Sequence, residues 1–135
     1  MRSCIIVDDC STAEKINIVK PKNLISLEII NMAKNQGHAR CNATGLQFIK
    51  NNKKCDYVIV MDSDGEDRPI EIKDLINMIN EQPETSVVAK RVKRSEGLIF
   101  QMLYRFHKFL TFIFTGKKIN FGNYCCLTKE DLSIL

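Results

Sequence analysis

Four acidic residues lie within six positions, directly after an apolar run at residues 57–61: Asp62, Asp64, Glu66 and Asp67. Carboxylates repel one another and are costly to remove from water, so packing alone does not select such a cluster. A hard divalent cation does select it, because such an ion takes oxygen ligands from several side chains. The pattern predicts a metal site formed by Asp62, Asp64 and Glu66 at the end of a buried strand.

A second acidic pair, Asp8 and Asp9, follows another short apolar run, residues 4–7. The elements that would position both acidic segments are strands that alternate with helices. Strands are predicted at residues 4–7, 27–32, 57–61, 86–89 and 124–127, and helices at 39–51, from Pro69 to Pro83, and at 98–114.

This alternation predicts an α/β fold with a mostly parallel sheet covered by helices on both faces. In such sheets ligands bind beyond the carboxyl ends of the strands. We therefore expect the two acidic strand ends to lie on one rim of one sheet and to form a polar site there.

Composition restricts the class of protein. A chain of 135 residues with 44% hydrophobic and 27% charged residues is typical of one globular domain. It contains neither a targeting segment nor an apolar run of the roughly 18 to 20 residues that span a bilayer, so we expect a cytosolic location. Six cysteines without a C-x-x-C motif indicate reduced thiols, and two distant histidines give no reason to expect zinc.

Positive charge is concentrated in one segment. Residues 90–118 contain eight Lys or Arg and one Glu, a net charge of +7, and the net charge of the whole chain is +4, which leaves −3 for the remainder. The same segment contains the apolar stretch 98–114. A basic, apolar helix suits an anionic membrane surface. We expect no nucleic-acid partner.

Taken in order, the motifs resemble those of family 2 glycosyltransferases with the GT-A fold, in the branch of dolichyl-phosphate mannose synthases and bactoprenol glucosyltransferases. Residues 7–11 resemble V-D-D-x-S, residues 35–39 resemble N-x-G-x-x, and residues 61–69 resemble M-D-x-D-x-x-D-x-P. The resemblance extends through residues 87–94 and 98–115 to 121–124. It implies a partial catalytic domain over residues 1–135 with a Rossmann-like sheet that lacks the family's N-terminal strand-helix unit.

The resemblance also implies roles for individual residues. Asp62 and Asp64 would be the catalytic pair that holds Mg²⁺ or Mn²⁺ on the donor diphosphate, with Glu66 as a further ligand. The residues that would bind a UDP- or GDP-sugar donor are Asp8, Asp9, Asn35 and Gly37. The implied reaction is a metal-dependent inverting transfer to a polyprenyl phosphate, or to another glycan acceptor of the cell envelope.

The resemblance also places Arg91 where relatives use an arginine near the acceptor phosphate, and it assigns Arg94 to the same phosphate. Arginine suits this role because it can donate two parallel hydrogen bonds to phosphate. Arg105 and Lys108 would add to the same field. Residues 90–118 would face the acceptor and the inner surface of the membrane. Asn123 and Asn120 stand where relatives often have acids, but a phosphate acceptor is already anionic and needs no general base.

Other interpretations stay open from the sequence alone. Each motif, taken singly, could be a strand end, a turn or a solvated charge run, and residues 98–114 could be core or the contact face of a homo-oligomer. The whole chain could be a truncated, inactive transferase. It could also be a response-regulator-like receiver domain in which Asp8 and Asp9 hold Mg²⁺ and Asp62 is phosphorylated.

Overall fold

The computed structural model describes residues 3–12, 18–90, 106 and 123–134. In chain order the elements are β1 (Ser3–Asp8), β2 (Ser26–Asn31), α1 (His38–Asn52), β3 (Tyr57–Val60), a 3-10 turn (Pro69–Glu71), α2 (Ile72–Glu81), β4 (Val87–Val88), β5 (Cys125–Thr128) and α3 (Lys129–Ile134). These elements belong to two compact units. Unit 1 comprises Met1–Asp56 and Lys129–Leu135, and unit 2 comprises Tyr57–Thr128.

Unit 1 is built on a parallel pair of strands. β1 and β2 pair in register from Ser3 with Ser26 to Asp8 with Asn31, so both strands end at the same edge. The helix α1 packs on β1, and the short helix α3 contacts α1. Lys50 of α1 fixes that contact by donating a hydrogen bond from Nζ to the carbonyl oxygen of Ser133, at 2.8 Å.

A glycine allows α1 to approach β1 closely. Gly45 is buried in the middle of α1, and a Cβ atom at this position would lie 2.9 Å from Cγ2 of Val7. Glycine has a low helix propensity, so Gly45 weakens the helix when the helix is considered alone. In the folded chain, the absence of a side chain at Gly45 allows α1 to lie in close contact with β1.

Unit 2 contains a three-stranded sheet in the order β3-β5-β4. β5 runs antiparallel to both neighbours, so β3 and β4 point in the same direction. The helix α2 packs against β4 and β5. Its buried face joins the sheet in one apolar core whose buried members are Leu75, Ile79, Val87, Tyr124 and Cys126.

The predicted α/β class is confirmed, and five predicted strands and two predicted helices are present among the described residues. The expectation of mostly parallel pairing holds for β1 with β2 but not for β5, because a short buried apolar run indicates a strand without indicating its direction. β4 is shorter than predicted, at two residues. The predicted helix over 98–114 lies outside the described residues except for Phe106, which is helical and exposed.

Candidate functional site

The first acidic pair lies at the carboxyl end of β1, as predicted. Asp8 is half-buried, and its carbonyl oxygen accepts a hydrogen bond from the backbone N–H of Met32 at 2.8 Å. Its carboxylate accepts the backbone N–H of Ser11, which lies 3.3 Å from both oxygens. Cys10, inside this turn, has a φ of 57°, in the left-handed region that non-glycine residues rarely adopt. Asp8 therefore caps a tight turn, and its donor-binding role stays a prediction.

Asp9 connects this turn to the loop before α1. One carboxylate oxygen accepts the backbone N–H of Gln36 at 2.8 Å, and the other accepts that of Gly37 at 2.7 Å. Gly37 has a φ of 84° and precedes the first residue of α1. Two predicted donor-binding residues, Asp9 and Gly37, are thus in direct contact, although their contact is structural.

The carboxylates of Asp8 and Asp9 affect the pKa of a nearby cysteine, Cys41. Cys41 is buried in α1, and its thiol donates to the carbonyl oxygen of Val7 at 3.6 Å. Burial raises the pKa of the Cys41 thiol, and the negative charges of Asp9 and Asp8 raise this pKa further. Cys41 therefore stays protonated at neutral pH and serves as a packing residue, because the thiolate is the reactive form.

The second acidic segment forms a loop, here called the acidic loop (residues 62–68), between β3 and the 3-10 turn. Asp62 is half-buried, whereas Asp64 and Glu66 are exposed. Asp64 accepts the backbone N–H of Glu66 on Oδ1 at 2.9 Å, and Gly65 between them has a φ of 85°. The loop thus exposes two of the three predicted metal ligands to solvent and holds Asp64 in a local turn.

Asp67 is the acid whose role the sequence did not indicate. Its exposed fraction is 7%, and its Oδ2 accepts the backbone N–H of Asp62 at 2.8 Å. A buried carboxylate is tolerated only when it is hydrogen-bonded. The hydrogen bond of Asp67 joins the two ends of the loop, so the role of Asp67 is to fix the loop conformation. The spacing M-D-x-D-x-x-D-x-P contained this residue but gave no sign that it points inward.

Tyr124 holds the other end of the acidic loop. Its ring is in the core of unit 2, and its hydroxyl donates to the carbonyl oxygen of Arg68 at 3.2 Å. Burial raises the pKa of Tyr124, and the charges of Glu71, Asp67 and Asp74 raise it further, so the hydroxyl keeps its proton and remains a donor. The neighbouring Cys125 has its pKa raised to about 11, mainly by burial.

The donor set of the acidic loop fits a metal ion that is completed by a substrate. Among residues 3–12, 18–90, 106 and 123–134, no group of three or more His, Cys, Asp or Glu side chains is arranged to hold a metal ion. Mg²⁺ in phosphate-handling sites is commonly held by one or two carboxylates together with substrate phosphates and water. Asp62 and Asp64 supply carboxylates of this type, and their role as metal ligands stays a prediction. A three-carboxylate cage that includes Glu66 is not preformed among the described residues.

The predicted acceptor residues lie outside the described residues: Arg91, Arg94, Arg105, Lys108 and Asn120. Asn123 is described and is exposed at the start of the segment that leads into β5. In the part of the chain that the structure describes, no helix has the length and apolar character needed to cross a membrane. The two acidic segments lie in different units. β1 and β3, the strands that precede them, belong to different sheets, so the expectation of one sheet with both acidic ends on its rim is wrong for the described strands.

Comparison with known proteins identifies the family. The model of the family described as Glycosyl transferase family 2 matches residues 3–129, nearly the whole chain. No curated protein and no solved structure matches the chain. The family match supports glycosyl transfer from a nucleotide-sugar donor in general and does not select one branch of the family. The matched segment contains both acidic segments and all five described strands, and the chain therefore belongs to glycosyl transferase family 2.

Proposed function

We propose that this chain transfers a sugar, with inversion at the anomeric carbon, from a UDP- or GDP-sugar to a polyprenyl phosphate at the inner face of a membrane. Family membership supports the general reaction, the nucleotide-sugar donor and the existence of an acceptor. The metal, the polyprenyl phosphate and the stereochemistry are the proposed additions. The observation that carries the proposal is the acidic loop, which presents Asp62 and Asp64 directly after β3.

In this proposal Asp62 and Asp64 would hold Mg²⁺ or Mn²⁺ together with the donor diphosphate, and Glu66 would be a further ligand. When bound, the metal ion offsets the negative charge that develops on the departing nucleoside diphosphate. Two neighbouring carboxylates repel each other, and this repulsion favours opening of the loop. The protein must therefore hold both carboxylates in place at the end of the strand. The hydrogen bond from Asp62 to Asp67 and the turn at Asp64 support that role.

The nucleoside of the donor is assigned to the end of β1 and the loop before α1. Asp8 and Asn35 would contact the nucleoside, and Gly37 would let the backbone approach it. Asp9 would act mainly by holding this loop, because its two oxygens already accept the N–H groups of Gln36 and Gly37. Asp9 retains lone pairs for a further donor, since a carboxylate can accept about four hydrogen bonds.

The acceptor phosphate is assigned to Arg91 and Arg94, in the basic segment 90–118. The nucleophile would be a phosphate oxygen, which is anionic at neutral pH, so the chain needs no general base to deprotonate it. Asn123 is consistent with this choice, because an amide cannot accept a proton from a hydroxyl acceptor. The charge of +7 on residues 90–118 would also attract an anionic membrane surface.

The proposal is tested by sugar transfer from labelled UDP-glucose or GDP-mannose to a polyprenyl phosphate embedded in vesicles. We expect product with Mn²⁺, none with EDTA, and faster transfer with anionic than with neutral vesicles. Asp62→Asn removes a charged metal ligand and should lower turnover by at least about a hundredfold, in line with the loss of a metal-linked electrostatic contribution. Asp74→Asn, which changes an exposed acid in the first turn of α2, is the matched control and should leave turnover unchanged.

Three outcomes would count against parts of the proposal. Turnover that persists in EDTA or in Asp62→Asn would show that the reaction does not need a metal ion held by Asp62. Equal rates on anionic and neutral vesicles would remove the membrane role of residues 90–118. A folded chain that transfers sugar from neither donor would support the inactive-transferase interpretation.

The alternative function is that of a receiver domain. It requires acetyl phosphate to label Asp62, and it leaves the exposed Asp64 and Glu66 without a role. Family membership favours glycosyl transfer over this alternative.

A further inference from the structure

The acidic loop is held at both of its ends by contacts that do not involve the predicted metal ligands' own oxygens. At one end the backbone N–H of Asp62 donates to the carboxylate of Asp67 across five residues, at 2.8 Å. At the other end the carbonyl oxygen of Arg68 accepts the hydroxyl of Tyr124, at 3.2 Å. Both anchoring side chains are buried, with exposed fractions of 7% for Asp67 and 5% for Tyr124.

The burial of Asp67 needs an explanation beyond packing. Three other carboxylates lie within the preceding five positions, so the loop already carries strong like-charge repulsion, and burying a fourth carboxylate adds a desolvation cost. A carboxylate here accepts the N–H of the very residue whose side chain is the first predicted metal ligand. The hydrogen bond that offsets this desolvation cost also fixes the backbone at Asp62.

Tyr124 connects the core of unit 2 to the same loop. Its ring packs with Leu75, Ile79, Val87 and Cys126, and partly buried Met61, the residue before Asp62, packs against the same cluster. Met61, directly before the loop, and Arg68, its last residue, are thus both in contact with this core. Only residues 62–67 lie between these two anchored positions, and within them Asp64 and Glu66 form a local turn.

We propose that Asp67 and Tyr124 are positioning residues that hold the acidic loop, before any ligand arrives, in the conformation that binds a metal ion together with a nucleoside diphosphate. This inference rests on the proposed function. A site whose ligands are already ordered loses less conformational entropy on binding than a mobile one. Partners that orient metal ligands typically contribute about tenfold to a hundredfold in metal affinity.

The test measures the affinity for Mn²⁺ with UDP, and separately with GDP, by calorimetry on the full chain. Asp67→Ala removes the acceptor for the N–H of Asp62 and should weaken binding about tenfold to a hundredfold. Asp67→Asn retains one acceptor oxygen and should recover part of that loss. Tyr124→Phe keeps the buried ring and should weaken binding about twofold to tenfold, the effect of one neutral hydrogen bond.

Two matched controls separate positioning from general effects. Asp74→Ala removes an exposed acid from the same unit, and Tyr57→Phe removes a hydroxyl that lies 3.5 Å from the carbonyl oxygen of Pro83. Both should bind as the wild type does. In the metal-free protein, amide hydrogen exchange at Asp62 should be faster in Asp67→Ala and unchanged in the controls. This readout does not depend on activity.

The outcomes distinguish this inference from the proposed function. If the wild-type chain binds neither nucleotide with Mn²⁺, the proposed function is overturned, and with it the metal-related role of Asp67 and Tyr124. Wild-type binding with unchanged affinity in Asp67→Ala and Tyr124→Phe would overturn the positioning role alone. Equal losses in Asp67→Ala and Asp67→Asn would show that charge, rather than the hydrogen bond to Asp62, is responsible. If Asp67→Ala does not fold, Tyr124→Phe decides between these outcomes.

Discussion

At the scale of single residues, the acids of this chain divide into those that face solvent and those that hold the backbone. Asp64 and Glu66 are exposed, whereas Asp67 is buried and Asp9 is occupied by two backbone N–H groups. Asp9 also places a negative charge beside the N-terminus of α1, where the helix dipole favours an anion. Acidic residues that look equivalent in the sequence therefore have different tasks.

Asp9→Asn should destabilise unit 1 by about 1.5 kcal/mol, the lower end of the range for hydrogen bonds to charged groups. An amide has one acceptor oxygen, so its –NH₂ group must face one of the N–H donors of Gln36 and Gly37. Urea unfolding measures the change in free energy, and Asp56→Asn, at an exposed position in the same unit, is the control. Equal unfolding midpoints for the two variants would contradict a structural role for Asp9.

These contacts explain what could be predicted at this scale. Asp8 and Asp9 were predicted at a strand end from the apolar run before them, and Asp62, Asp64 and Glu66 were predicted in a loop after β3 in the same way. The inward direction of Asp67 was not predicted, because it depends on the backbone turn at Gly65 and on the core beneath the loop. Neither feature has a signal in residue spacing alone.

At the scale of elements, the contact between α1 and β1 sets the height of the helix above the strand end that carries Asp8 and Asp9. Gly45 and Val7 meet at this contact. In an isolated helix Gly→Ala stabilises by about 1 kcal/mol. Here the new Cβ would be 2.9 Å from a methyl group of a β-branched side chain, which has little freedom to move.

Gly45→Ala should therefore destabilise the wild-type chain by about 1–3 kcal/mol, the usual cost of overpacking. In a Val7→Ala background the obstructing methyl group is absent, and the same Gly45→Ala change should stabilise by up to about 1 kcal/mol. Thermal or urea unfolding of the four proteins in this double-mutant cycle measures the reversal of sign. A stabilising effect of Gly45→Ala in both backgrounds would show that the helix does not approach β1 this closely.

The strands were easier to predict than their partners. Apolar runs located all five described strands to within a few residues. The antiparallel direction of β5 was missed, because a short apolar run locates a strand without indicating its direction. β4 is shorter than predicted. Before it, the hydroxyl of Ser86 accepts the backbone N–H of Thr128 at 3.0 Å, and after it the backbone N–H of Ala89 donates to the carbonyl oxygen of Tyr124 at 2.9 Å.

At the scale of the whole molecule, charge and chemistry are divided along the chain. The basic segment 90–118 has a net charge of +7, and the rest of the chain, which contains both acidic segments, has a net charge of −3. An acidic site that holds a cation would serve the donor diphosphate, and a basic segment would serve an acceptor phosphate. This division of charge along the sequence is consistent with a transferase that handles two phosphorylated substrates.

We propose above that the acidic loop binds a nucleotide sugar through a divalent metal ion. The most direct test is calorimetric titration of UDP-glucose and GDP-mannose into the chain with Mn²⁺, and then with EDTA. We expect one donor to bind in Mn²⁺, and we expect that binding to be lost in EDTA and in Asp62→Asn. Binding of equal strength with and without the metal ion would contradict it, as would a folded wild-type chain that binds neither donor.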